Sequence, residues 1–158
     1  MEKRMKRISA IILFTALVLV LTSCGGEKTP ASDFEYKAIA SGVEITKYIG
    51  TAIKVNIPAK IEGVAVTSIG EYAFYESGIM EVYIPEGLTN IGHGVFMDCT
   101  GLTSVTIPDS VTNIGNLAFH RIENLTVTYK GQKYNSVGNE RYGEIYWDLP
   151  EEFYELFE

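Results

Sequence analysis

Ile84-Pro85-Glu86-Gly87-Leu88-Thr89-Asn90-Ile91-Gly92-His93-Gly94-Val95-Phe96 returns, 23 positions later, as Ile107-Pro108-Asp109-Ser110-Val111-Thr112-Asn113-Ile114-Gly115-Asn116-Leu117-Ala118-Phe119. The segment before each copy repeats too: Ile79-Met80-Glu81-Val82-Tyr83-Ile84-Pro85 matches Leu102-Thr103-Ser104-Val105-Thr106-Ile107-Pro108. Working outward, Ala52-Ile53-Lys54-Val55-Asn56-Ile57-Pro58 and Ile122-Glu123-Asn124-Leu125-Thr126-Val127 fit the strand half, and Ile69-Gly70-Glu71-Tyr72-Ala73-Phe74 fits the Ile-Gly…Phe half. A period of this length is one turn of a solenoid, a unit that cannot bury its own apolar face and must stack on its neighbours.

The alternation of Val82/Ile84 and Val105/Ile107 predicts a short strand with these side chains inward. Val55/Ile57 and Leu125/Val127 are expected to extend the ladder at either end. The prolines that follow cannot donate to a ladder and so end it. Ile69, Ile91 and Ile114 are expected to stack in a second column, and Phe74, Phe96 and Phe119 in a third. The glycines after each isoleucine answer a backbone geometry or a close approach that a Cβ forbids. The first coil is longer, with a hairpin turn at Glu62-Gly63. The last coil reads as short, because Ile122 follows Phe119 by three residues where Leu102 follows Phe96 by six.

These residues resemble the BspA-like leucine-rich repeats of bacterial surface proteins. The family string I-P-x-x-V-T-x-I-G-x-x-A-F-x-x-C-x-x-L-x-S-V-x is met nearly throughout from Ile84 to Thr106, including Cys99, Leu102, Ser104 and Val105. The resemblance implies a mainly-β repeat solenoid. It has a hairpin N-cap (Phe34 to Tyr48 about Ser41-Gly42) and a hairpin-plus-helix C-cap. The C-cap hairpin turns at Lys130-Gly131. Asp148 and Glu151 form a capping box for an acidic helix with Phe153, Leu156 and Phe157 on its apolar face. Trp147, Tyr146 and Phe153 are expected to pack on the last coil as a cap; the alternative for this acidic segment is a docking tail.

The start of the chain is a second source of information. Met1 to Arg7 is basic and Ile8 to Leu21 is apolar but shorter than the ~20 residues of a spanning helix. That is a secretory signal pattern. Leu21-Thr22-Ser23-Cys24 resembles the lipobox of bacterial lipoproteins, which implies a diacylglycerol on Cys24 after removal of residues 1–23. Two acyl chains hold a protein to a membrane where one does not. The organisation expected is therefore 1–23 signal peptide, 24–32 lipidated cysteine and tether, 33–50 cap hairpin, 51–128 repeats and 129–158 C-terminal cap.

Composition limits the chemistry. The net charge is −7, and because the leader carries +3 (Lys3, Arg4, Lys6 and Arg7 against Glu2) the remainder carries −10. An acidic chain of this kind lacks the basic footprint of a nucleic-acid binder. Two cysteines exclude a disulfide-rich scaffold. Cys99, His93 and His120 are the candidates for nucleophile and base. Both histidines occupy variable repeat slots, and Cys99 stands where the family places a small buried cysteine. Asp98 and Asp109 stand alone, so no metal or cofactor is expected, and the Asn124-Leu125-Thr126 sequon is set aside in a bacterial lipoprotein.

What remains is a surface. The outward ladder positions are Lys54/Asn56, Glu81/Tyr83, Ser104/Thr106 and Asn124/Thr126, with Tyr83 as the anchor, since interface hot spots favour Tyr, Trp and Arg. The two resemblances together imply a lipid-anchored protein of the cell membrane, on its extracellular face. It would present a small repeat domain for non-catalytic binding of a protein or glycan, as in cell-surface adhesion. The alternative is a structural or accessory envelope protein docked to a component of its own cell. A third reading, a glycan-binding accessory module, places the ligand on Tyr83 or the cap tyrosines.

Overall fold

In the computed structural model, residues 28–138, 145–147 and 156 are described. A short 3-10 turn (Ala31–Asp33) leads into β1 (Phe34–Ile39), β2 (Gly42–Tyr48), β3 (Lys54–Asn56), β4 (Lys60–Ile61), β5 (Val64–Ile69) and β6 (Glu81–Tyr83). There follow β7 (Asn90–Ile91), β8 (Ser104–Ile107), β9 (Asn113–Ile114), β10 (Thr126–Tyr129), β11 (Gln132–Gly138) and β12 (Ile145–Trp147). They form two sheets, ordered β1-β2-β5-β7-β9 and β12-β11-β10-β8-β6-β3, with β4 paired to β5. Strands of successive coils pair in parallel in each sheet.

The second sheet is the ladder whose strands lead into Pro58, Pro85 and Pro108. Lys54, Val55 and Asn56 lie beside Glu81, Val82 and Tyr83, which lie beside Ser104, Val105 and Thr106. The first sheet carries the isoleucine column, with Ile45, Ile69, Ile91 and Ile114 in register and each 0% exposed. Burying a side chain of this size contributes about 1.5–3 kcal/mol. The aromatic column crosses the core at a regular interval. Phe74 and Phe96 have ring centroids 5.3 Å apart, and Phe96 and Phe119 are stacked at 5.6 Å. Tyr48 from the N-terminal hairpin stacks on Phe74 at 5.2 Å, and Phe34 closes over Tyr48 at 5.5 Å, so five rings line up where the repeat alone supplies three.

Between the sheets each coil passes through tight turns that satisfy their backbone on the next coil. The N–H groups of Tyr72, Phe74 and Glu76 donate to the carbonyls of His93, Val95 and Met97, and those of Gly94, Phe96 and Asp98 donate to Asn116, Ala118 and His120. This geometry places Tyr72, Glu76, Asp98, Leu117 and Arg121 at φ of 52–60°, a left-handed conformation costing a non-glycine residue about 1–2 kcal/mol. The repeating threonine is structural: Thr89 Oγ1 donates to the Thr67 carbonyl at 3.1 Å, and Thr112 Oγ1 to that of Thr89 at 3.3 Å. The close-approach role of the glycines is the one realised. A Cβ at Gly115 would sit 2.5 Å from the His93 nitrogen, and one at Gly92 would sit 2.8 Å from that of Glu71.

The expected register of the last strand is corrected. Val127, not Leu125, lies beside Val105, and Tyr129, not Val127, lies beside Ile107. The reason is packing. Ile122 fills the place of Cys99, 23 residues on, and Leu125 fills that of Leu102; both are 0% exposed. The coil is therefore not shortened, and Phe119 to Leu125 spans the same six residues as Phe96 to Leu102. Asn124 takes a left-handed φ of 55° before the strand and leaves the ladder.

The ends are closed in opposite ways on the two sheets. At the front, β1 and β2 extend the first sheet by parallel pairing of β2 with β5. The second sheet is met there by Thr29, whose N–H donates to the Asn56 carbonyl while its hydroxyl accepts from the Asn56 N–H. Thr29 is buried at this contact, while Lys28, Pro30, Ala31 and Ser32 around it are exposed. At the back, β10 and β11 extend the second sheet through a two-residue turn with Lys130 and Gly131 both at positive φ. On the first sheet, the Ile114 N–H donates to the Leu156 carbonyl. The signal segment, Cys24 and the capping-box helix, apart from Leu156, lie outside the described residues.

Candidate functional site

The predicted binding face is in part assembled. Glu81 and Tyr83 lie beside Ser104 and Thr106 on adjacent strands, and Tyr83 is half exposed. Glu81 is held by Lys54 at 2.8 Å, a surface pair worth about 0.2–1 kcal/mol. The register correction removes Asn124 from this face. It also moves Thr126 beside Ser104, where its hydroxyl bonds Asn135 of the C-terminal hairpin at 2.9 Å. Thr128 takes the place beside Thr106.

The groove of the molecule is on the other sheet, which the sequence reading did not single out. Lys37, Glu44, Ser68, Asn90 and Asn113 form one cross-strand row over β1, β2, β5, β7 and β9. Glu44, Ser68, Asn90 and Asn113 each precede a buried isoleucine, so the row points away from the core by simple alternation. It is internally bonded: Lys37 Nζ to Glu44 at 2.7 Å, Ser68 Oγ to Glu44 at 3.5 Å, and Asn90 Nδ2 to Ser68 Oγ at 2.9 Å. Beyond the isoleucines come Gly70, Gly92 and Gly115, and then the variable slots Glu71, His93 and Asn116. At Gly92 and Gly115 a Cβ would meet the backbone of the preceding coil, so no side chain projects from the middle file and it lies low between two polar rows. The result is an open trough of 690 Å³ lined by the far row, the glycines and the near row except the buried Ser68, with Thr46 at one end. Tyr72 stands behind the wall, edge-on to His93 at 5.3 Å and to Tyr75 at 6.0 Å.

The three residues considered for catalysis are placed apart by the coil register. Cys99 is inside the core, its thiol donating to the Phe74 carbonyl at 2.9 Å and lying 3.3 Å from Ser77 Oγ. Burial pushes that thiol above the usual cysteine range, which disfavours the thiolate a nucleophile requires. His93 stands in the trough wall with Glu71 and Asn116, and His120 in a separate column with Tyr75 and Met97. Among the described residues no group of three His, Cys, Asp or Glu side chains comes together to hold a metal ion. No helix among them is long and apolar enough to cross a membrane.

Two parallel sheets stacked coil on coil, with prolines ending one set of strands and glycines the other, define a leucine-rich repeat protein. The chain belongs to the BspA-type leucine-rich repeat family, whose model matches residues 53–145 in six copies. It is similar to the solved structure of a leucine-rich repeat protein of T. pallidum, at 32% identity and a TM-score of 0.63, over 65% of this chain and 50% of that one. It is also similar to a leucine-rich cell surface protein of Faecalibacterium prausnitzii A2-165, at 30% identity and a TM-score of 0.57, over 65% of this chain and 30% of that one. The chain thus matches half the length of the first and less than a third of the second. No curated protein matches it.

Proposed function

We propose that this chain is a bacterial lipoprotein, held to the membrane by diacylglycerol on Cys24, that displays its repeats for non-catalytic binding at the cell surface. The observation that carries this reading is the division of the molecule between a closed interior and two outward polar surfaces. Cys99 is sealed in the core, while the side chains facing outward from both sheets are fixed in register by the strand ladders. A preorganised surface loses little freedom on binding, which favours recognition. The faecalibacterial relative is named as a cell surface protein, and the lipobox supplies a means of reaching that location.

The anchor is tested by replacing its thiol. Cys24→Ser is expected to release the protein from the membrane fraction or to leave the leader uncut. A Cys24→Ser protein that is still processed and still membrane-bound contradicts the lipoprotein reading.

A further inference from the structure

We infer that the glycine-floored trough of the first sheet is a binding site for a neutral, extended glycan. The chain would lie across the strands, parallel to the stacking direction of the coils. This rests on the binding-module reading above and gives it a site and a ligand class.

The argument starts from what the trough offers. The near side is largely committed, with the Asn90 Nδ2 bonded to Ser68 and the Asn113 Oδ1 buried, whereas the far side presents Asn116, His93 and Glu71, groups that together donate and accept hydrogen bonds. A hydroxyl-rich ligand needs that mixture. The floor is glycine backbone, and Ile91 beneath it is 0% exposed, so no apolar pocket is open to anchor a peptide side chain. Charge narrows the class. Lys37 is already paired with Glu44 at 2.7 Å, and Glu71 adds a further carboxylate, so a phosphorylated or sulfated ligand would meet repulsion. Tyr72 lies behind His93, edge-on to it and packed over Gly94, so recognition in the trough falls to the polar wall and not to an aromatic platform.

The repeat fits a polymer. Three successive coils place a polar residue on each side of a glycine, Ser68/Glu71, Asn90/His93 and Asn113/Asn116, with Ser68 buried, at the strand spacing of about 4.8 Å. An extended glycan advances by a similar distance per sugar, so successive units can meet successive coils in equivalent settings. The trough volume lies inside the roughly 300–1,000 Å³ typical of small-ligand sites.

The test uses the whole chain, purified in a detergent without a sugar headgroup. It is titrated with neutral hexose and N-acetylhexosamine oligomers from the monomer to the hexamer. At least one series is expected to bind, with affinity rising per added unit and levelling at about three units, the number of coils that carry the glycine and its wall residue. Asn116→Ala and the isosteric Glu71→Gln change exposed wall positions and are expected to keep the thermal midpoint while weakening binding about three- to tenfold. Tyr83→Ala, on the opposite sheet, should leave affinity unchanged. Three results overturn the inference: no saturable binding by any oligomer at millimolar concentration, loss of binding in Tyr83→Ala with the wall variants unaffected, or preference for a polyanionic glycan. None of these bears on the anchor, which Cys24→Ser reads separately.

Discussion

The two sheets are built by the same coils and differ in the residue that follows each strand. On one, Pro58, Pro85 and Pro108 end the strands and are themselves buried. On the other, Gly70, Gly92 and Gly115 do so, and a trough runs over this file between two polar rows because no side chain projects from it. Proline ends a ladder by lacking a donor, whereas glycine lets the next coil come close and leaves the surface above it open. One repeat therefore makes two unlike faces. One is a ladder surface with Tyr83 and a Lys54–Glu81 pair, and the other is a groove lined by amides and carboxylates.

The comparison can be broken most severely at the core that the sheets share. Phe96 is 0% exposed and contacts the rings on both sides of it. Phe96→Ala is expected to cost about 3–5 kcal/mol, read from the urea midpoint, and to loosen both faces together. A cost under about 1 kcal/mol would contradict a buried column. Next comes the contrast itself. Gly115→Ala drives a methyl to 2.5 Å from backbone and is expected to cost about 1–3 kcal/mol, or more if the coils cannot part. Pro108→Ala keeps the backbone path and should cost about 1 kcal/mol or less. Equal costs would erase the distinction between the faces. The smallest effect is expected at the ladder surface. Lys54→Ala breaks an exposed pair and should change stability by under about 1 kcal/mol, less still in high salt.

Much of this was legible in the sequence, because a repeat states each packing demand several times. The Val82/Val105 ladder, the isoleucine column and the phenylalanine column follow from spacing alone, and the structure has them in register. The last strand was misplaced because Ile122 is apolar and stands near the position of a strand's leading residue. Aligning it with Cys99, by counting from Phe119, is the signal that would have set the register. Tyr48 was missed as a member of the aromatic column because it follows Ile45 by three residues, where Phe74 follows Ile69 by five. The trough was missed for a different reason. Its floor is a file of residues without side chains, and its wall residues Glu71, His93 and Asn116 differ from coil to coil, so no repeated side chain marks it. The glycines were visible as a rule of coil spacing, but the empty volume above them appears only once the flanking rows are seen to stand on either side.

The claim on which the rest depends is that the repeats face the outside of the cell. Protease shaving of intact cells, followed by immunoblotting for the mature domain, tests it most directly. The account predicts that the domain signal is lost from intact cells while a cytoplasmic control protein is spared. Persistence of the signal until the cells are lysed would place the repeats behind an envelope barrier and contradict surface display.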